Sequence, residues 1–276
     1  MEILIAVGAV VAIGFICGTI LAVASKVMAV EEDARFPIVR DCLPGANCGA
    51  CGYAGCNEYT NALLSGEETR INLCIPGADA AARKLSEALD VPFQDVVEQV
   101  AVSCCRGCSD ATSDKMDYQG METCAAAKLL FGGKASCVYG CIGLGDCVHA
   151  CPEGAIRIED NLAVVNTSMC VGRTKCTQVC PNGLLQMVPD TARFVVHCKS
   201  IRKGAEVRHT CTNGCIGCKK CEKACPSDAI KVIDNLARID YSKCTHCGSC
   251  VEVCPQKCIF EGTYTGAHNI AKQYIF

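Results

Sequence analysis

The 276-residue chain carries 28 cysteines and no tryptophan, and only 5% of its residues are aromatic. So few aromatics exclude one large apolar core, and a cysteine content of about a tenth leaves disulfides or metal sites to hold small domains together. The formal net charge of −3 gives no overall basic character, and no nucleic acid is expected as a partner.

Residues 3–25, ILIAVGAVVAIGFICGTILAVAS, are 23 residues without a charge, long enough for one membrane-spanning helix. A signal peptide cleaved after Ala22-Val23-Ala24 is the alternative, but it would start positive and have a shorter apolar region. Lys26 follows the span and places the remainder on the cytoplasmic side. The expected location is therefore the inner (cytoplasmic) membrane, single-pass, with the Cys-rich part in the reducing compartment. Gly14 and Gly18 form a GxxxG face that lets another helix approach closely. Cys17 reads as a small apolar residue within the span.

After a polar linker, Cys48, Cys51, Cys56 and Cys74 are spaced C-x2-C-x4-C-x17-C. Three close thiols and one distant one suit a single [4Fe–4S] cluster, with zinc as the alternative. Residues 57–65 and 79–90 have helical character and would cover the site. Cys42 stands outside the spacing. Residues 92–102 read as a short helix or a helix-to-strand passage. Cys104, Cys105, Cys108 and Cys124 follow in a Cys-containing insert, 104–132.

The strongest signal lies between Cys215 and Cys254, where C-x2-C-x2-C-x3-C-P occurs twice. In this motif the fourth cysteine of each run ligates the other run's cluster. The expected ligand sets are therefore Cys215, Cys218, Cys221 and Cys254 for one [4Fe–4S] cluster and Cys244, Cys247, Cys250 and Cys225 for the second. This segment resembles the bacterial two-cluster ferredoxins. Shifting the numbering by 74 shows that it is a second copy. Cys137, Cys141, Cys147 and Cys151 map onto Cys211, Cys215, Cys221 and Cys225, while Cys170, Cys176 and Cys180 map onto Cys244, Cys250 and Cys254. Each copy holds a hairpin expected to turn at Asp160-Asn161 or Asp234-Asn235.

The first copy lacks two ligands: Leu144 stands opposite Cys218 and Arg173 opposite Cys247. Three-cysteine sites of the [3Fe–4S] type are one reading. Another lets a neighbouring cysteine fill in, giving a [4Fe–4S] site at Cys137, Cys141, Cys147 and Cys180 and a lesser one at Cys151, Cys170 and Cys176. A third groups Cys105, Cys108, Cys124 and Cys137 in a site of their own. Cys198 and Cys211 are further candidates, and Arg173 could lie over a vacated site. Three clusters follow from spacing alone, and five or six in all.

Charge is uneven. Residues 31–122 hold 16 acidic against seven basic side chains, and residues 193–223 hold eight basic against two acidic. A basic face beside a cluster would steer an acidic redox partner. The chain has no dinucleotide fingerprint, P-loop or HExxH, and its five histidines show no ligand spacing. Single-electron relay is the chemistry that remains.

The order of parts closely resembles the B subunit of the Rnf complex: an apolar span, LPGANCGACGYAGC, then CVYGCIGLGDCVHACP and CTNGCIGCKKCEKACP. The resemblance implies an ion-translocating ferredoxin:NAD+ oxidoreductase coupled to Na+ or H+ movement. Soluble ferredoxin would be the electron donor, and other membrane subunits would carry flavin and the NAD site. An anchored polyferredoxin serving another membrane oxidoreductase or hydrogenase is the alternative. The expected fold class is α+β: one N-terminal transmembrane helix (1–30), a small helical 4Fe-4S domain with linker (31–103), the insert, and two tandem ferredoxin-like 2[4Fe-4S] modules (133–195 and 196–276).

Overall fold

The computed structural model describes residues 11, 14–23 and 33–266. Residues up to Pro37 form one unit and those from Ile38 a second. In the first, 14–23 is helical and turns large apolar side chains outward, Phe15 74% and Leu21 70% exposed. Among the described residues no helix is long and apolar enough to cross a membrane. The expected span at 3–25 lies for the most part outside them.

The second unit opens with a helical domain. Helix α1 (Phe36–Asp41), which begins two residues before the unit boundary, leads into α2 (Cys56–Ser65) and α3 (Ala78–Leu89). In α2, Tyr59, Ala62 and Leu63 repeat at helical spacing on the buried side, and Gly66 ends the helix at φ 75°. In α3, Ala78, Ala81, Ala82 and Leu85 form the buried stripe, and Asp90 adopts the left-handed conformation at the end. These faces close on Val39, Leu43 and Ile71 as one core.

The rest is built of four antiparallel two-stranded sheets, arranged twice in the same way. The first copy pairs β1 (Gln99–Ser103) with β4 (Leu185–Pro189) and β2 (Ile156–Glu159) with β3 (Leu162–Val165). The second pairs β5 (Phe194–Val196) with β8 (Ile259–Glu261) and β6 (Ile230–Ile233) with β7 (Leu236–Ile239). Each module thus has an inner hairpin and an outer pair formed by its first and last strands. Residues 92–98 are not helical, and the expected helix-to-strand passage is a strand from Gln99 onward. Its Val100 and Val102 are buried against Val188 and Val195, so this strand closes the first module although it precedes the insert.

Both hairpins turn where expected. Asp160 and Asn161, like Asp234 and Asn235, have positive φ at both central positions, as a type I′ turn requires. Short helices carry or flank the cysteines: α4 (Cys124–Leu129), α5 (Asp146–His149), α6 (Lys175–Val179), α7 (Gly204–Thr210, ending before Cys211), α8 (Lys220–Ala224) and α9 (Ser249–Glu252). Gly217, at φ 65°, sits over the hairpin turn. A Cβ there would lie 2.9 Å from the Asn235 carbonyl oxygen, so only glycine lets the cysteine loop reach the turn.

Candidate metal centre

In the helical domain Cys48, Cys51, Cys56 and Cys74 line one cavity, closed by Leu43, Pro44, Tyr59 and Pro76. Cys56 begins α2, and its backbone N–H donates to Asn47 Oδ1 at 2.9 Å. Burial pushes the Cys74 thiol up to about 11, so the free thiol is protonated at neutral pH and metal must displace its proton. Cys42 takes no part. Its thiol donates to the Ile38 carbonyl within α1.

In the second module Cys215, Cys218 and Cys254 surround Cys221, while Cys225, Cys244 and Cys247 surround Cys250. The chain therefore brings the fourth cysteine of each run beside the other run's first three. The Ala229 N–H donates to Cys225 Sγ at 3.3 Å, and the Leu184 N–H does the same to Cys180 Sγ at 3.4 Å in the first module. Such bonds stabilise a thiolate and tune a cluster held there. Cys218 and Cys247 are exposed, whereas Cys215 and Cys221 are buried. A cysteine outside every expected set, Cys258, is buried with its Sγ 3.6 Å from Cys254 Sγ. Its four-residue distance from Cys254 was the only hint in the sequence.

The first module departs from the expected grouping. Cys141, Cys147 and Cys180 share a cavity with Cys124 rather than with Cys137. The reason is local. Both carboxylate oxygens of Asp146 accept N–H bonds at the start of α4, from Cys124 at 2.8 Å and Ala125 at 3.0 Å. This pins Cys124 above α5, whose Cys147 is buried and pushed up to about 12 by burial. Leu144 packs with Cys124, Ala127 and Ile142, filling with apolar bulk the place of the missing thiol. Cys137 lines a neighbouring cavity with Cys105, Cys198 and Cys211. Cys108 does not line it. Cys104 is buried and its thiol donates to Gln186 Oε1 at 3.1 Å.

Cys151, Cys170 and Cys176 line another cavity, together with Arg173, Glu153 and Lys175. The Ala101 N–H donates to Cys170 Sγ at 3.4 Å, so β1 supports this site. Arg173 pairs with Glu153 at 2.8 Å, and its buried Nε has no partner. No fourth thiol lines this cavity.

Among the described residues no three His, Cys, Asp or Glu side chains close on one point as ligands of a single metal ion do. The thiols stand around cavities instead. Four thiols around one cavity match the four iron corners of an iron–sulfur cube, so the donor sets of these cages fit that group.

An Fe-S cluster family model (FeS) matches residues 43–76, and a 4Fe-4S dicluster domain matches residues 210–255. The B subunit of the Na(+)-translocating ferredoxin:NAD(+) oxidoreductase complex of Acetobacterium woodii is 40% identical over 93% of this chain and 77% of its own length. The chain belongs to the Rnf complex B-subunit family. The proton-translocating counterpart of Clostridium ljungdahlii is 42% identical over 91% of this chain and 90% of its own length. The B subunit of an ion-translocating oxidoreductase complex from Methanosarcina acetivorans is 39% identical, covering 90% of this chain and 94% of the relative. Membership places the chain in a multi-subunit complex, and the iron–sulfur domains fit the thiol cages described above.

Proposed function

We propose that electrons enter this chain at its C-terminal module and leave from the Cys48 domain. The chain is the iron–sulfur B subunit of an ion-translocating ferredoxin:NAD+ oxidoreductase. In this reading a soluble ferredoxin is the donor, subunits with flavin and NAD sites lie downstream, and residues 3–25 anchor the chain in the membrane. When bound, each cluster accepts and donates one electron.

One observation carries the direction: the C-terminal module exposes Cys218 and Cys247, and it also exposes Lys219, Lys220, Lys223, Lys243 and Lys257. Thiols near solvent shorten the distance to a docked donor, and the lysines attract an acidic one. At the other end, Thr174 Oγ1 and Gln178 Nε2 both donate to the Cys48 carbonyl oxygen at 3.5 Å, joining the first module to the helical domain. The residues assigned to [4Fe–4S] clusters are Cys48, Cys51, Cys56 and Cys74; Cys124, Cys141, Cys147 and Cys180; Cys215, Cys218, Cys221 and Cys254; and Cys225, Cys244, Cys247 and Cys250. Reversing Lys219, Lys220 and Lys223 to Glu tests the direction. Uptake from reduced ferredoxin, followed by stopped flow, is expected to slow at least about tenfold at low salt, with the gap closing as salt screens the charges. An unchanged rate would overturn it.

Cys151, Cys170 and Cys176 offer three thiols and a guanidinium, which fits a [3Fe–4S] cluster better than a cube. Arg173, paired with Glu153, fills the corner where the second module has Cys247. The oxidised protein should show the EPR signal of a three-iron cluster, and Arg173→Cys should remove it by supplying the fourth thiol. A wild-type protein without that signal, and with the same iron content as the variant, would reject the assignment.

A further inference from the structure

Four cysteines with no place in either ferredoxin motif meet where the two modules join. Cys105, Cys137, Cys198 and Cys211 line one cavity, which Arg106, Gly107, Lys199, Ser200 and Gly214 help to close. They come from four separate segments, so no spacing in the sequence marks them as a set. We propose that these four thiols hold a further [4Fe–4S] cluster that bridges the two modules. The proposal rests on the relay reading above and deepens it.

The cavity is built as a cluster site. The Gly107 N–H donates to Cys105 Sγ at 3.4 Å, and the Ser200 N–H donates to Cys198 Sγ at 3.4 Å. These repeat the bonds received by Cys180 and Cys225, and amide donors to sulfur are what an iron–sulfur site uses to stabilise its thiolates. A Cβ on Gly107 would lie 3.5 Å from Cys105 Sγ and 3.9 Å from Cys211 Sγ, so this glycine runs along both thiols. Arg106 and Lys199 bring positive charge to a group that would carry net negative charge.

The segments are fixed to one another rather than merely adjacent. Thr112 Oγ1 donates to the Thr210 carbonyl at 2.7 Å, the Thr212 N–H to the Ala111 carbonyl at 2.9 Å, and Asn213 Nδ2 to the Arg106 carbonyl at 3.0 Å. Asn182 Nδ2 holds the Gly140 carbonyl at 2.6 Å, beside Cys137. The Arg106 guanidinium stacks 3.6 Å from the centre of the Phe260 ring, tying the insert to the last strand of the second module. This effort orders a loop that forms no sheet or long helix of its own. Holding the thiols accounts for it.

The position matters as much as the ligands. Cys141 lines both this cavity and the one formed with Cys124, Cys147 and Cys180. On the other side Cys198 lies beside Cys215, the first cysteine of the second module's C-x2-C-x2-C-x3-C-P motifs. A cluster here therefore has a cluster-bearing thiol of each module next to it and closes the gap between them. Loading would replace four S–H bonds by Fe–S bonds and release the four thiol protons, with two ferrous ions, two ferric ions and four sulfide ions as the reactants, so that the 2+ core forms without any further oxidant.

The test uses the full chain, purified in detergent without oxygen and loaded with ⁵⁷Fe and sulfide. Cys105→Ser and Cys211→Ser should each lose about four iron and four sulfide per chain, one cube's worth. Cys108→Ser, at a thiol outside the cavity, should lose none. In the first two variants the C-terminal clusters should still be reduced by ferredoxin, while reduction of the Cys48 cluster should slow at least tenfold. Iron content in both variants equal to wild type, or zinc in the wild-type cavity by X-ray absorption, would overturn the proposal. Should a variant misfold, the wild-type Mössbauer spectrum decides alone: cubane iron is expected for five cubes, and iron for only four would reject the site. Loss of ferredoxin reduction in wild type with five cubes present would instead overturn the direction of relay and leave this site standing.

Discussion

Asp146 does for the first module what no motif announces. It accepts two backbone N–H groups at the start of α4 and so places Cys124 over α5. Asp146→Ala would leave both donors without a charged partner, at a cost of about 1–3 kcal/mol. The expected outcome is loss of the cluster at Cys124, Cys141, Cys147 and Cys180, read as about four irons per chain, with the second-module EPR signals unchanged. Full iron content would show that Cys124 needs no such anchor. Gly217 makes the complementary case. With φ 65° and the Asn235 carbonyl oxygen 2.9 Å from a built Cβ, Gly217→Ala combines left-handed strain of about 1–2 kcal/mol with a steric clash. Lower resistance to denaturant and faster bleaching of the Cys215 cluster are expected. Unchanged resistance would mean that the loop can move off the turn.

At the scale of elements, local signals were legible and remote ones were not. Positive φ at Asp234 and Asn235 follows from residue types that tolerate it, so the hairpins could be read from two letters. The buried stripe of α3 followed from alanine and leucine spacing in the same way. The crossed grouping of the second module was readable because its two runs are intact. Cys124 and Cys137 were not readable. Each reaches its cavity through a turn or helix start set by a distant residue, Asp146 or Asn182, and spacing favoured the nearer Cys137 for a place that Cys124 takes. The strand at Gln99 is legible only as one alternative for 92–102, because its partner, β4, lies more than eighty residues away.

Across the whole molecule the thiol cages form a series. The Cys48 domain touches the first module through Thr174 and Gln178, the first module shares Cys141 with the junction cavity, and Cys198 of that cavity lies beside Cys215. Exposed thiols and lysines stand at the C-terminal module, and the acidic excess of residues 31–122 lies toward the other end of the chain. Charge counting in the sequence finds this division and puts Lys219 and Lys220 next to Cys218; the fold adds that all three are exposed. The most direct measurement is the rate at which reduced ferredoxin reduces the Cys48 cluster in Cys221→Ser, followed by freeze-quench EPR. Electron uptake through the C-terminal module predicts that the Cys48 cluster is present at wild-type iron content and is reduced at least about tenfold more slowly, because its supply has been cut. Reduction at the wild-type rate would contradict the account, since electrons would then be reaching Cys48 by a path that bypasses the second module.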